Sequence, residues 1–90
     1  MKAYKVLEKF GFCKGDYAKD SQGFSVDPRD SRAVQFCTVG AIRVAYVGGP
    51  EFIRMVNKVK AHVGQSVADW NDAVERTKSD VVKILKELDI

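Results

Sequence analysis

Residues 32–47, RAVQFCTVGAIRVAYV, form a strongly apolar stretch that decides the expected fold. Projected as a helix at about 100° per residue, their polar side chains fall within an arc of roughly 140° and the rest of the surface is apolar. A helix with so narrow a polar stripe is expected to run through the middle of the domain. Gly40 costs about 1 kcal/mol in a helix relative to alanine, which predicts that another helix or a hairpin approaches closely there.

Amphipathic segments on both sides of this stretch predict further short helices. Residues 2–10 carry apolar side chains at helical spacing, and residues 51–63 place them on one face after Gly-Gly-Pro. A short helical turn is expected to begin at Ser66. Thr77 is expected to cap the last helix, with Asp80 completing a capping box.

Residues 11–29 lack a helical period and contain turn-forming residues. Asp20-Ser21-Gln22-Gly23 is typical of a β-turn, because aspartate favours its first position and glycine its last. The flanking segments predict a small β-hairpin near residues 16–27, which would lay Tyr17, Phe24 or Val26 on the helices. We therefore expect a mainly α fold, a compact bundle of about four to five short helices with this hairpin inserted.

Length and composition indicate a single domain, residues 1–90, with an ordinary globular composition of 46% hydrophobic and 30% charged residues. The net charge of +3 is spread among interleaved acidic residues, which is typical of a solvated surface and does not favour a nucleic-acid partner. The N-terminus does not read as a signal peptide, and no apolar run approaches the length of a membrane span. A cytosolic location without a membrane partner is expected.

The two cysteines and the single histidine do not form a metal motif. Cys37 lies on the apolar side of the predicted central helix and is expected to be buried as a small hydrophobic residue. Cys13 is expected to be more exposed, and a dyad with His62 would require a geometry that nothing in the sequence indicates. The sequence does not decide whether Cys13 and Cys37 form a disulfide. We expect no cofactor, no metal and no catalytic residue.

The polar residues after Trp70 have a structural and a functional interpretation. Structurally, Asn71 and Asp72 would satisfy backbone groups where the short helix ends, and Trp70 would anchor that turn in the core. Asp72 is also four residues before Arg76, a spacing that allows a pair on a helix. Functionally, the group would bind a small polar or phosphorylated ligand. That binding site would combine Asn71, Asp72, Arg76, Lys14 and Asp20.

Three patches of the sequence together resemble a known family. They are the K-G, A-K-D and G residues of 14–23, the C-x-x-G-A pattern within 33–42, and the W-N-D and R-T residues of 70–77. In this order and spacing they are similar to a family of small bacterial and phage proteins catalogued as a domain of unknown function. The resemblance runs from about residue 11 to the end, although Phe12 stands where members often carry tryptophan. It implies a bacterial or phage cytosolic origin and implies no chemistry.

These observations favour a small non-catalytic interaction protein that binds a protein partner, or associates with itself, through apolar surface around the hairpin. A small-ligand protein using the polar group after Trp70 is the first alternative. Weak nucleic-acid binding is the second, through the polar residues of the 51–63 helix: Arg54, Asn57, Lys58 and Lys60.

Overall fold

The computed structural model describes residues 1–90 and contains five helices and three two-residue strands. The helices are α1 Ala3–Lys9, α2 Thr38–Ala45, α3 Gly49–Val63, α4 Val67–Asp72 and α5 Lys78–Glu87. The strands are β1 Gly11–Phe12, β2 Ala18–Lys19 and β3 Gln35–Phe36. The predicted mainly α fold of short helices with a small hairpin is confirmed.

The three strands form one small sheet in the order β1-β3-β2. The central strand β3 runs parallel to β1, with Phe12 opposite Phe36, and antiparallel to β2, with Ala18 also opposite Phe36. The backbone of β3 therefore has partners on both edges. Because β1 and β3 are parallel, Cys13 and Cys37 follow their strands at neighbouring positions.

The hairpin predicted near residues 16–27 is present, and it is held mainly by its turn. Lys19 and Ser25 form an antiparallel bridge, and the Asp20 carbonyl accepts a hydrogen bond from the Gly23 amide at 3.0 Å. The Asp20 carboxylate also accepts from the Phe24 amide at 2.9 Å. Gly23 has φ of 88°, a left-handed conformation that glycine adopts at low cost.

The predicted central helix is shorter at its N-terminal end than the sequence indicated. Residues 35–36 form strand β3, and helix α2 begins only at Thr38. Cys37 is the N-cap, and its sulfur accepts a hydrogen bond from the Gly40 amide at 3.3 Å. The helical prediction for residues 32–37 was wrong because a central strand and a buried helix both appear as a continuous apolar run.

The close approach predicted at Gly40 is confirmed, and its partner is the hairpin. A Cβ atom at Gly40 would overlap the backbone carbonyl of Tyr17. The same carbonyl accepts a hydrogen bond from the Cys37 amide at 3.1 Å. The hairpin therefore rests directly on the first turn of α2.

The core lies where α1, α2 and α5 meet. Leu7, Ile42 and Leu85 are fully buried there, and α1 contacts both α2 and α5. The predicted capping box of Thr77 and Asp80 is present at the start of α5. No helix in the chain combines the length and the apolar character needed to cross a membrane.

Helix α3 lies at the edge of the domain. It contacts α2 and α4, and Val59 is its only fully buried residue. Its outward face carries all four polar residues of the nucleic-acid alternative, each exposed and without an ion pair. These are Arg54, Asn57, Lys58 and Lys60.

Candidate functional site

Asn71, near the end of α4, is buried and its side-chain amide is fully used within the protein. Its Oδ1 accepts hydrogen bonds from the backbone amide and the hydroxyl of Thr38, at 2.8 and 2.7 Å. Its Nδ2 donates to the carbonyl of Cys13 at 3.2 Å and to the carboxylate of Asp72 at 2.9 Å. Asn71 therefore has a structural role, but the backbone groups it satisfies are at the start of α2 and the end of β1 and not at the end of its own helix.

The neighbouring Asp72 is exposed, and its carboxylate is held on one side only. Its Oδ1 accepts from the Gly15 amide at 3.1 Å and from Asn71. Its Oδ2 makes no hydrogen bond within the protein, and the carboxylate has no ion-pair partner. Asp72 thus presents one oriented, unpaired carboxylate oxygen at the surface.

Arg76 does not pair with Asp72, although the two residues are four positions apart. Helix α4 ends at Asp72, and Ala73 has φ and ψ of −54° and 139°, so the helical spacing is lost before Arg76. The Arg76 Nε donates to the carbonyl of Trp70 at 2.9 Å. Its guanidinium carbon lies 4.4 Å from the centre of the Trp70 ring. Arg76 therefore covers the buried tryptophan.

Lys14 and Asp20 also lie away from a common site. The Lys14 ammonium donates to the backbone carbonyls of Ala73 and Val74, at 2.7 and 3.3 Å. The Asp20 carboxylate accepts from amides of its own turn. Of the five residues expected to form a binding site, the structure places only Asn71 and Asp72 in one concavity.

That concavity, here called the Asp72 pocket, has a volume of about 460 Å³ and opens to solvent. It is formed where the loop before β2, the start of α2 and helix α4 meet. Its polar lining consists of Asp16, Ser25, Asn71 and Asp72, and the remaining lining of Gly15, Tyr17, Cys37, Val39 and Ala68. Sequence reasoning did not assign most of these residues to a site, because they come from separate segments and form no motif.

The charged lining of the Asp72 pocket is entirely acidic. Asp16 lies 3.8 Å from the ammonium of Lys19, whereas Asp72 has no basic partner. No lysine, arginine or histidine lines the pocket. The pocket is therefore a locally negative site on a chain whose net charge is +3.

A second, smaller concavity adjoins the first and shares Tyr17 and Val39 with it. This Arg43 pocket has a volume of about 250 Å³ and is also lined by Asp27, Pro28, Gly40, Arg43 and Phe52. The Arg43 guanidinium carbon lies 4.1 Å from the centre of the Phe52 ring. We call the two adjoining pockets together the Tyr17 surface.

Tyr17 is the large aromatic side chain between the two pockets, and it is 61% exposed. Its backbone is fixed, because its carbonyl accepts from Cys37 and packs on Gly40. Of the three hairpin side chains expected on the helices, Val26 is the one that packs against the core, beside the buried Ala18 of β2. Tyr17 consequently combines an anchored main chain with a side chain free to contact another molecule.

Both cysteines are buried and free, so they form no disulfide. Cys37 is buried as expected. The greater exposure expected for Cys13 was wrong, because Cys13 extends β1 and its amide donates to the carbonyl of Phe36 at 3.1 Å. Burial, together with the nearby Cys37, raises the pKa of the Cys13 thiol to about 11. Burial also raises the pKa of Cys37. Neither thiol has the depressed pKa of a nucleophile.

His62 contacts Glu87 and neither cysteine, so no Cys13–His62 dyad forms. Its Nε2 is 3.8 Å from the carboxylate of Glu87 at the surface. No three histidine, cysteine, aspartate or glutamate side chains converge in a group that could hold a metal ion. At the Tyr17 surface, a concavity, an exposed aromatic ring and an unpaired carboxylate oxygen coincide.

Residues 1–88 match the sequence model of DUF6197, a family of unknown function. The match covers the whole fold up to the end of α5. No curated protein matches the chain, and no solved structure matches it.

Proposed function

The chain belongs to the DUF6197 family, and we propose that it is a small non-catalytic interaction protein of the bacterial or phage cytosol. It binds a protein partner through the Tyr17 surface. The observation that carries this proposal is the 61% exposure of Tyr17 between two adjoining concavities that share it. Tyrosine is among the residues that dominate binding energy at protein interfaces.

The rigid mounting of Tyr17 supports this role. The next residue, Ala18, is fully buried in β2, and the Tyr17 carbonyl is bonded to Cys37. An aromatic side chain on a fixed backbone loses little conformational entropy when a partner binds, because only its own rotamers are immobilised. A flexible loop carrying the same ring would bind more weakly.

The chemistry of the neighbouring groups supports binding over catalysis. The thiol of Cys37 at the pocket wall has a raised pKa, and the amide of Asn71 is fully hydrogen-bonded. An activated nucleophile needs a depressed pKa or an adjacent base. Among the other functional groups of the surface, Tyr17 and Asp72 are suited to contact with a partner.

Binding of a free small polar ligand is the second candidate, because the 460 Å³ of the Asp72 pocket falls within the range of small-molecule sites. Asn71 and Asp72 line this pocket, as the ligand hypothesis requires. Arg76 and Lys14, the groups that would bind a phosphate, lie outside it. A neutral or cationic ligand therefore fits this candidate better than a phosphorylated one.

The proposal is tested by comparing the wild-type protein with Tyr17→Ala and with Ile53→Ala. Ile53 is a matched control, since it is 57% exposed on α3 and lines neither pocket. We expect a partner captured from host lysate, and then purified, to bind the wild type and Ile53→Ala equally. Binding to Tyr17→Ala should be about 30-fold weaker, the loss typical of a central aromatic residue.

Self-association is measured on the same three proteins by sedimentation velocity. A dimer that Tyr17→Ala removes and Ile53→Ala retains would make a second copy the partner. Equal binding by all three proteins, or equal loss in both variants, would contradict the proposal.

A further inference from the structure

We infer that the Asp72 pocket binds the cationic end of an arginine or lysine side chain presented by a polypeptide partner. This inference rests on the proposed function and names the chemistry of the partner. The orientation of Asp72, the charge of the pocket and the apolar surface at its rim support it.

The Asp72 carboxylate is positioned before any partner arrives. Its Oδ1 is bonded to the backbone amide of Gly15 and to the side chain of Asn71, and Asn71 is itself held by Thr38. The free Oδ2 can accept a hydrogen bond from a guanidinium or ammonium group without reorganisation of the pocket. Such charge-assisted hydrogen bonds are roughly twice as strong as neutral ones.

The acidic lining of the Asp72 pocket favours a cation, whereas the lining of the adjoining Arg43 pocket does not. Asp16 and Asp72 are the charged residues of the lining, and Lys19 partly neutralises Asp16. Asp72 has no such partner. The adjoining Arg43 pocket contains both Asp27 and Arg43 and so is not uniformly negative. A basic side chain is thus directed to the Asp72 end of the Tyr17 surface.

The remaining lining suits the long stem of a basic side chain. Tyr17, Val39 and Ala68 provide apolar wall, against which the methylene groups of lysine or arginine pack while the charged end reaches a polar partner. The exposed Tyr17 ring also offers a face for a cation–π contact. Apolar wall and terminal carboxylate together match an amphipathic cation.

The rim of the pocket favours a polypeptide source over a free amine. Tyr17 and Val39 continue from the Asp72 pocket into the Arg43 pocket, so apolar surface extends beyond the space that one cation fills. A free amine would leave that surface in water. Residues that flank a basic side chain in a polypeptide would cover it.

The test is an NMR titration of the ¹⁵N-labelled protein with N-acetyl-arginine methylamide. N-acetyl-citrulline methylamide is the matched probe, because it has nearly the same shape and no charge. We expect the arginine probe to shift the amides of Gly15, Tyr17 and Asp72 and to bind about tenfold more tightly than citrulline, as the loss of one charged hydrogen bond implies. Equal binding of both probes, or shifts confined to other regions, would overturn the inference.

Two variants with the same charge change separate the pocket from general electrostatics. Asp72→Asn keeps an acceptor for Gly15 but removes the charge. It should lower the affinity for the arginine probe about fivefold or more. Asp69→Asn removes a charge from the same helix outside the pocket and should leave the affinity unchanged. Equal losses in the two variants would contradict binding at Asp72.

The source of the cation is tested with two peptides, acetyl-Leu-Arg-Leu-amide and acetyl-Gly-Arg-Gly-amide. A polypeptide source predicts tighter binding of the leucine peptide and loss of that advantage in Tyr17→Ala. Equal affinity of the two peptides would make the pocket a site for a free cation and would overturn the inference.

The failure of the inference can be distinguished from the failure of the proposed function. If Tyr17→Ala releases the captured partner while Asp72→Asn retains it, the interaction function stands and the inference falls. If Tyr17→Ala releases no partner, the proposed function falls, and the polypeptide source falls with it.

Discussion

Thr38 and Asn71 are 33 positions apart, yet the backbone amide and the hydroxyl of Thr38 both donate to the same side-chain oxygen of Asn71, at 2.8 and 2.7 Å. Both residues are buried, at 0% and 1% exposure. Thr38 is the first residue of α2, so its amide has no partner within the helix. Asn71 supplies that partner from α4.

Replacing Asn71 by alanine should lower the free energy of unfolding by about 3 kcal/mol, because each buried polar group left without a partner costs about 1–3 kcal/mol. Thr38 and the carbonyl of Cys13 would both lose their bonds. Urea denaturation measures the change. Asn57→Ala, at an exposed position of α3, is the control and should alter stability little. A loss below about 0.5 kcal/mol for Asn71→Ala would contradict the role assigned to it.

Gly40→Ala should destabilise the protein by about 3 kcal/mol or prevent folding, because the new Cβ would overlap the Tyr17 carbonyl and overpacking typically costs 1–3 kcal/mol. The better helix propensity of alanine offsets about 1 kcal/mol at most. Gly49→Ala is the matched control, since nothing lies near its Cβ. Thermal unfolding of the two variants should move in opposite directions or differ strongly. Two similar melting temperatures would refute the close approach.

The thiol of Cys13 makes stability depend on alkaline pH. Its pKa is raised from the usual 9.0 to about 11, so between those values the unfolded thiol is ionised and the folded one is not. Stability should therefore be fully present below about pH 9 and fall as the pH rises toward 11. Urea midpoints at about pH 8 and pH 10.5 measure the fall. The Cys13→Ala variant retains all other titrating groups, so its stability should fall less over this pH range. An equal fall in the two proteins would show that Cys13 contributes nothing to the pH dependence.

Arg76→Ala should increase the quenching of the single tryptophan by acrylamide, because the guanidinium that lies 4.4 Å from the Trp70 ring centre would be gone. We expect a loss of about 0.5–1 kcal/mol in stability from this contact. Arg54→Ala, an exposed arginine of α3, should leave quenching unchanged. Unaltered quenching in Arg76→Ala would mean that Trp70 is shielded by other groups.

The features that the sequence predicted correctly depend on residues close together in the chain. The capping box joins Thr77 to Asp80, and the hairpin turn joins Asp20 to Gly23. Each is a hydrogen-bonded unit of four residues, so its residue types alone indicate it. The close approach at Gly40 was also predicted, because a helical glycine among apolar residues implies a close neighbour.

The features that the sequence did not predict depend on distant partners. Strand β3 exists because β1 and β2 lie on either side of it, and the apolar run of residues 32–37 alone does not distinguish a strand from a helix. The pair expected between Asp72 and Arg76 required a helix that continues past Asp72, but α4 ends there. The Asp72 pocket unites separate segments and therefore has no linear signature.

The hydrogen bonds of Asn71 also determine the order in which this protein can be completed during synthesis. A ribosome delivers the N-terminal part of a chain first. The carbonyl of Cys13 and the amide of Thr38 consequently have no hydrogen-bond partner until Asn71, 58 and 33 positions downstream, has been synthesised. Until α4 has left the exit tunnel, the start of α2 and the end of β1 lack the side chain that bonds to both of them. A nascent chain stalled before that point is a candidate client for chaperones.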